Sequence, residues 1–341
     1  DCVNKNYDMA LSHVEKSLET NYHNYNARNL KSCLLRVAGK IDKARNFALE
    51  TKRLDRMNLH AACEILFLDE SLENRKEFIK LAGPSYRNLV DLSVKYAEAG
   101  FFNEAIKVLL MNADGVKSPL LNYYIGYYYF KLGETEFCEK YYTQAQSCDY
   151  DYCFPNSLYD MIVLKNVCAQ NTSDAKAFYL LGNIWYDKKQ HAEAVECWEK
   201  SAELDDTFPT VYRNLSLAYF NKLGDVEKSK QALEKAFLLD KNDSRVFFEL
   251  DQLYKKCNAP KEKRLQNFEE NMALIHERDD LYVEYITLLN LNGKFEEAIE
   301  MAMSRKFHPW EGGEGKITTQ YINSKIELGK QYIELGQYEK A

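Results

Sequence analysis

A pair of small or tolerant positions twelve residues apart recurs along this chain, mostly at steps of 33 to 35 residues, and nothing else in the sequence limits its fold so strongly. The pairs are Ser32/Ala44, Ser93/Ala105, Gly126/Cys138, Gly182/Ala194, Asp251/Lys263, Ile286/Ala298 and Gly329/Ala341. Ser216/Ser229 is one residue longer, because Asn221 to Asp225 reads as an extended turn. In the clearest copy, Phe178, Leu181, Gly182 and Trp185 share one helical face, and Ala194 and Trp198 follow on a second helix. Gly182 lets the second helix approach, Ala194 offers the reciprocal small surface, and the aromatic rings fill the space towards the next copy. Gly39, Gly100, Gly133, Gly224, Gly293 and Gly336 stand just after first helices, where a left-handed residue ends a helix. One such hairpin cannot bury its apolar face alone, so copies must stack. With 14 Gly and 6 Pro in 341 residues, the chain also lacks the turns that a large sheet needs. The expected fold is all-α: a right-handed superhelix, or α-solenoid, of about nine helical hairpins, some degenerate or partial.

Irregular steps between copies give the expected organisation. Residues 1–150 hold N-terminal repeats, the first and third degenerate, with one shortened copy at about 57–83. Residues 151–174 are a linker and a lone helix, 175–306 regular repeats, 307–316 an inserted Gly-rich loop, and 317–341 a truncated final repeat. The chain begins without Met and stops inside a helical pattern, so we expect a piece of a longer protein. Leu328, Tyr332 and Tyr338 should then be partly exposed.

With 45 basic and 52 acidic residues, a net charge of −7, the chain lacks the basic stripe that a nucleic acid or anionic membrane requires. No apolar run reaches the ~18–20 residues of a membrane span. Nine cysteines form no C-x-x-C pair and no zinc quartet, and read as reduced, mostly buried thiols of a cytoplasmic protein. Cys148 and Cys153 are close enough in a linker to pair on oxidation. No P-loop, dinucleotide fingerprint, nucleophile elbow or H-E-x-x-H motif is present, so no catalytic residue, cofactor or metal site is expected. His13, His23, His60, His191 and His276 stand singly and read as surface or packing residues. The tyrosines from Tyr123 to Tyr129 fall at core and groove positions of their hairpin.

Phe178-x-x-Leu181-Gly182-x-x-Trp185 with Ala194-x-x-x-Trp198 resembles the tetratricopeptide pattern, lacking only its final Pro, where Asp206 stands. The resemblance extends over the chain and implies a scaffold whose first helices line a binding face. Tyr179, Asn183, Tyr186, Asp187, Arg213, Asn214, Asn221, Glu249 and Gln252 are the candidate residues of that face. The two-carboxylate clamp of such arrays would fall on Tyr179, Asn183, Asn214, Arg245 and Glu249. Tyr179 removes one cation and Glu249 reverses another, which argues against a peptide-binding co-chaperone of that type.

Residues 152–341 resemble a narrower group: bacterial proteins joining a β-rich, sugar-enzyme-like N-terminal domain of unknown function to a tetratricopeptide array. The segments carrying it are Tyr179–Asn183 with Tyr186–Lys188, Phe208–Leu215, Ala218–Asp225, Glu249–Lys255 and Phe307–Lys316. It implies a scaffold docking that absent domain, or another protein, through its inner face. The alternative is an accessory part of a carbohydrate-active enzyme. In the loop, Pro309 keeps His308 extended, Trp310 offers a large amphipathic ring, and the glycines allow a tight path. His308, Trp310, Glu311 and Glu314 are its candidate contacts; the competing reading is a plug in which Phe307 and Trp310 cap the groove.

Overall fold

Twenty α-helices and one π-turn follow one another, with no strand among the described residues, in the computed structural model; these residues are 2–111, 115, 118–149, 153–308, 310 and 312–341. Helix α1 (Tyr7–Thr20) precedes the hairpins α2/α3 (Tyr25–Val37, Ile41–Leu54), α4/α5 (Leu59–Leu68, Leu72–Ala82), α6/α7 (Tyr86–Glu98, Phe102–Leu110) and α8/α9 (Pro119–Leu132, Thr135–Gln146). The single helix α10 (Leu158–Gln170) comes next, then α11 (Ala175–Asp187) and α12 (His191–Leu204). Helix α13 (Pro209–Ala218) runs into the π-turn (Tyr219–Leu223) and pairs with α14 (Val226–Leu239). The chain continues through α15/α16 (Ser244–Lys256, Lys261–Glu269), the one-turn α17 (Met272–Ile275), α18/α19 (Asp279–Leu291, Phe295–Met303) and α20 (Lys316–Glu334). It divides into two compact units, residues 1–190 and 191–341.

Local chemistry sets the helix ends. Asn24, Asn58, Asp174, Asp225 and Asp243 cap α2, α4, α11, α14 and α15, each side-chain oxygen accepting a first-turn N–H. The turn glycines named above all take positive φ, and Lys189 (φ 62°) and Asn258 (φ 54°) do the same work where glycine is absent.

Several of the small pairs meet as expected. In the first unit, the Ser32 hydroxyl donates to the Ala44 carbonyl at 3.2 Å. Gly126 is bare because any Cβ there would lie 2.5 Å from the Tyr142 ring. In the second unit, Ser216 and Ser229 share a hydrogen bond of 2.9 Å. Two expectations need correction. Asn221 to Asp225 is not a simple long turn: the helix widens by one residue into a π-turn, Asp225 N–H donates to the Tyr219 carbonyl at 3.0 Å, and left-handed Gly224 closes it. Asp251 does not face Lys263, which is exposed; its partner is Arg264, one residue on, with N–H donors at 2.8 and 2.7 Å. An ion pair thus fills a crossing that small residues fill elsewhere.

In residues 1–190 the insertion before α11 is held by charge. Asp160, fully buried on α10, accepts from both terminal nitrogens of Arg87 on α6 at 3.0 and 2.8 Å, from the Tyr124 hydroxyl at 2.6 Å, and from two amides. Tyr123, Tyr124 and Tyr128 are wholly buried, with hydroxyls on Asp174, Asp160 and Ser93. Cys148 and Cys153 are both buried and are not joined in a disulfide. Near the last residue, Leu328 and Tyr332 are half-buried and Tyr338 is exposed.

Candidate functional site

Within residues 191–341, α13 and α15 present their exposed faces side by side with α14 behind them. Between them lies a pocket of about 270 Å³. Its floor is buried Ser216, Ser229, Leu233 and Leu253, and its walls are Leu217, Phe220 and Phe248. Phe220 and Asn221 reach it from the π-turn, a distortion that re-aims side chains. The volume suits one apolar side chain.

The rim is charged and ordered. Arg213 donates through Nε and Nη2 to the two Glu249 oxygens at 2.7 and 2.5 Å, a bidentate pair. Arg245, one helical turn before Glu249, adds a single Nε contact at 3.2 Å. Gln252 and Lys256 continue the stripe on α15, the Lys256 ammonium 4.9 Å from the Phe220 ring centre. Arg278 stands 5.9 Å over Phe248 and is itself paired with Asp280. Beneath, Arg264 bridges Asp251 and Glu284, and Lys255 also donates to Glu284. Burial pushes both carboxyls up; Lys255 and Arg264 outweigh it at Glu284, held below its usual range, but Arg264 does not at Asp251. This network makes α15, α16 and α18 a firm backing.

The structure brings Arg213, Asn221, Glu249 and Gln252 together at this pocket, with Asn214 half-buried nearby on α13. Tyr179, Asn183, Tyr186 and Asp187 belong to the other unit; the first three are half-buried on α11, and Asp187 is exposed and paired with Lys188 at 2.8 Å. The inserted loop is a separate place. Its Phe307 packs on the core beside Tyr282, ring centres 5.7 Å apart. His308 is exposed and donates its N–H to Asp279 at 2.7 Å, while Arg305 donates to the same carboxylate at 2.5 Å. Trp310 lies against Gly313, where a Cβ would come within 2.0 Å of the ring. Glu314 is exposed, and Glu311 lies outside the described residues. Among the described residues no His, Cys, Asp or Glu group is arranged to hold a metal, and no helix is long and apolar enough to cross a membrane.

Residues 182–222 match the family model described as TPR repeat, and residues 209–243 that described as Tetratricopeptide repeat. Among solved structures the chain is similar to YrrB, described as a TPR protein with an unusual peptide-binding site, at 15% identity over 69% of this chain and 96% of that one, TM-score 0.27. It is also similar to MamA from residue 41 onward of Desulfovibrio magneticus RS-1, at 19% over 58% and 98%, TM-score 0.34. A third is the Cut9–Hcn1 hetero-tetramer of the APC/C, at 16% over 84% and 53%, TM-score 0.34. At such scores these likenesses carry no argument about function. The matched repeats and the hairpin fold support a protein-interaction scaffold of tetratricopeptide type.

The stripe of candidates missed Phe220, Phe248 and Lys256. A signal for the two rings exists. Tyr179 stands three before Gly182, and Arg213 and Phe248 stand three before Ser216 and Asp251; Tyr186 and Phe220 stand four after their small residues. Reading one offset through successive repeats would have found the pocket.

Proposed function

We propose that the chain is a scaffold that holds a segment of a protein partner on the first-helix face of α13 and α15. The observation that supports this reading is the pocket itself: a side-chain-sized apolar hole with a firm backing and a rim of ordered charge, the arrangement of a recognition groove. The partner is another protein, or a β-rich domain of the kind joined to such arrays in the narrower group that residues 152–341 resemble. An accessory role beside a carbohydrate-active domain would need the inserted loop to offer its rings, and Phe307 and Trp310 are both engaged within this chain.

The test is selection of a displayed random-peptide library on the purified chain, counter-selected on a Phe220→Ser/Phe248→Ser variant with unchanged circular dichroism. Binders recovered by the first and lost by the second are expected. Binders indifferent to the double substitution would place recognition elsewhere.

A further inference from the structure

Arg245, Glu249, Gln252 and Lys256 lie on one stripe of α15, and the cations at its two ends are the least fully paired of the groove. Glu249 is satisfied by the bidentate Arg213, so Arg245 shares only one of its oxygens. The terminal guanidinium nitrogens of Arg245 have no partner among the described residues, and its side chain is 64% exposed. Lys256 faces only the Phe220 ring, with no carboxylate within ion-pair distance among the described residues. The other cations are answered: Arg278 by Asp280, Arg264 by Asp251 and Glu284, Lys255 by Glu284. Asp243 keeps its charge as the N-cap of α15 but makes no ion pair with Arg245 among the described residues. The apolar pocket therefore sits between two cations that keep donors free, Arg245 its terminal guanidinium nitrogens and Lys256 its ammonium.

The spacing says what fits. Eleven residues of helix separate the two cations by about 16 Å. An extended strand advances ~3.3 Å per residue, so two acidic residues four steps apart stand about 13 Å from each other and the reach of the side chains closes the remaining ~3 Å. Resting on the groove reading above, we infer that the partner segment is an extended peptide with an apolar anchor flanked on both sides, two residues away, by acidic side chains. The anchor fills the Phe220–Phe248 pocket, and the two carboxylates meet Arg245 and Lys256. A basic segment is repelled at both ends.

The experiment uses the whole chain and three end-blocked, fluorescein-labelled nonapeptides in anisotropy titrations. One carries a central Leu with Asp two residues to each side in a Gly background; the second replaces both Asp by Lys, and the third replaces Leu by Gly. The first should bind at least about tenfold tighter than the other two. Arg245→Glu and Lys256→Glu should each weaken it by roughly threefold to tenfold, with melting temperature unchanged and with weaker binding as salt rises. If the Lys probe binds as tightly as the Asp probe and both are lost in Phe220→Ser, the groove stands and the acid-flanked chemistry is overturned. Binding of the Asp probe that ignores both charge reversals also overturns it. If no probe binds while displayed peptides are still selected through Phe220 and Phe248, this inference falls alone; if neither binds, the groove reading falls with it.

Discussion

The Arg87–Asp160 pair in residues 1–190 and the Arg213–Glu249 pair in residues 191–341 are the same chemistry at two depths. Both are bidentate, with N···O distances of 2.5 to 3.0 Å. Asp160 is wholly buried and accepts five hydrogen bonds, whereas the Glu249 side chain is 21% exposed and shared between two arginines at a groove. Removing Asp160 strands the buried Tyr124 hydroxyl and two amides along with Arg87, whereas removing Glu249 strands only two arginines, one of them 64% exposed. The first pair holds α10 in place, and the second rims the groove that we propose binds a partner.

The largest expected effect follows directly. Asp160→Ala should cost about 3–5 kcal/mol in urea unfolding followed by circular dichroism, and Glu249→Ala no more than ~1 kcal/mol. Equal losses would break the comparison. The Asp160 carboxyl sharpens it further: burial pushes it up, but Arg87, Tyr124 and the Ser157 and Asn156 amides outweigh that and hold it below its usual range. A depressed carboxyl contributes stability above the unfolded value, near ~3.9, and loses it as pH falls through the lower folded value. Wild type should thus unfold more steeply than Asp160→Asn below about pH 4.

Next in size is a second contrast of depth, between two glycines against aromatic rings. Gly126→Ala meets the buried Tyr142 ring at 2.5 Å and should cost about 1–3 kcal/mol. Gly313→Ala meets the ring of Trp310, which is only half-buried and not enclosed by the core, so its melting temperature should fall less. A larger fall at Gly313 would mean that the loop is locked.

His60 gives a third effect. Burial of its ring, with Arg36 and Lys95 nearby, lowers its pKa to about 3, and it packs neutral at 4.5 Å from the Tyr96 ring centre. The unfolded chain takes up that proton near ~6.5, so the stability is complete above that pH and falls steadily towards pH 3. Melting temperatures from pH 7 to 4 should decline less in His60→Leu than in wild type. Smallest is Glu249→Gln, which should leave the melting temperature within error while freeing Arg213.

Sequence alone was enough for whatever depends on neighbours a few residues apart. The all-helical architecture, the helix caps and the turn glycines follow from a 3.6-residue period and from capping chemistry. It was not enough where a side chain's fate depends on what another segment brings to it. Asp160 and Arg87 lie 73 residues apart, and only packing shows that they meet. Arg264 rather than Lys263 answers Asp251 because a register shifts by one residue, which spacing alone does not reveal. The pocket of Phe220 and Phe248 arises because a π-turn re-aims one ring towards a helix from the next repeat. Periodicity places residues on faces, but burial sets the worth of a charge, and burial is a property of the assembled neighbours.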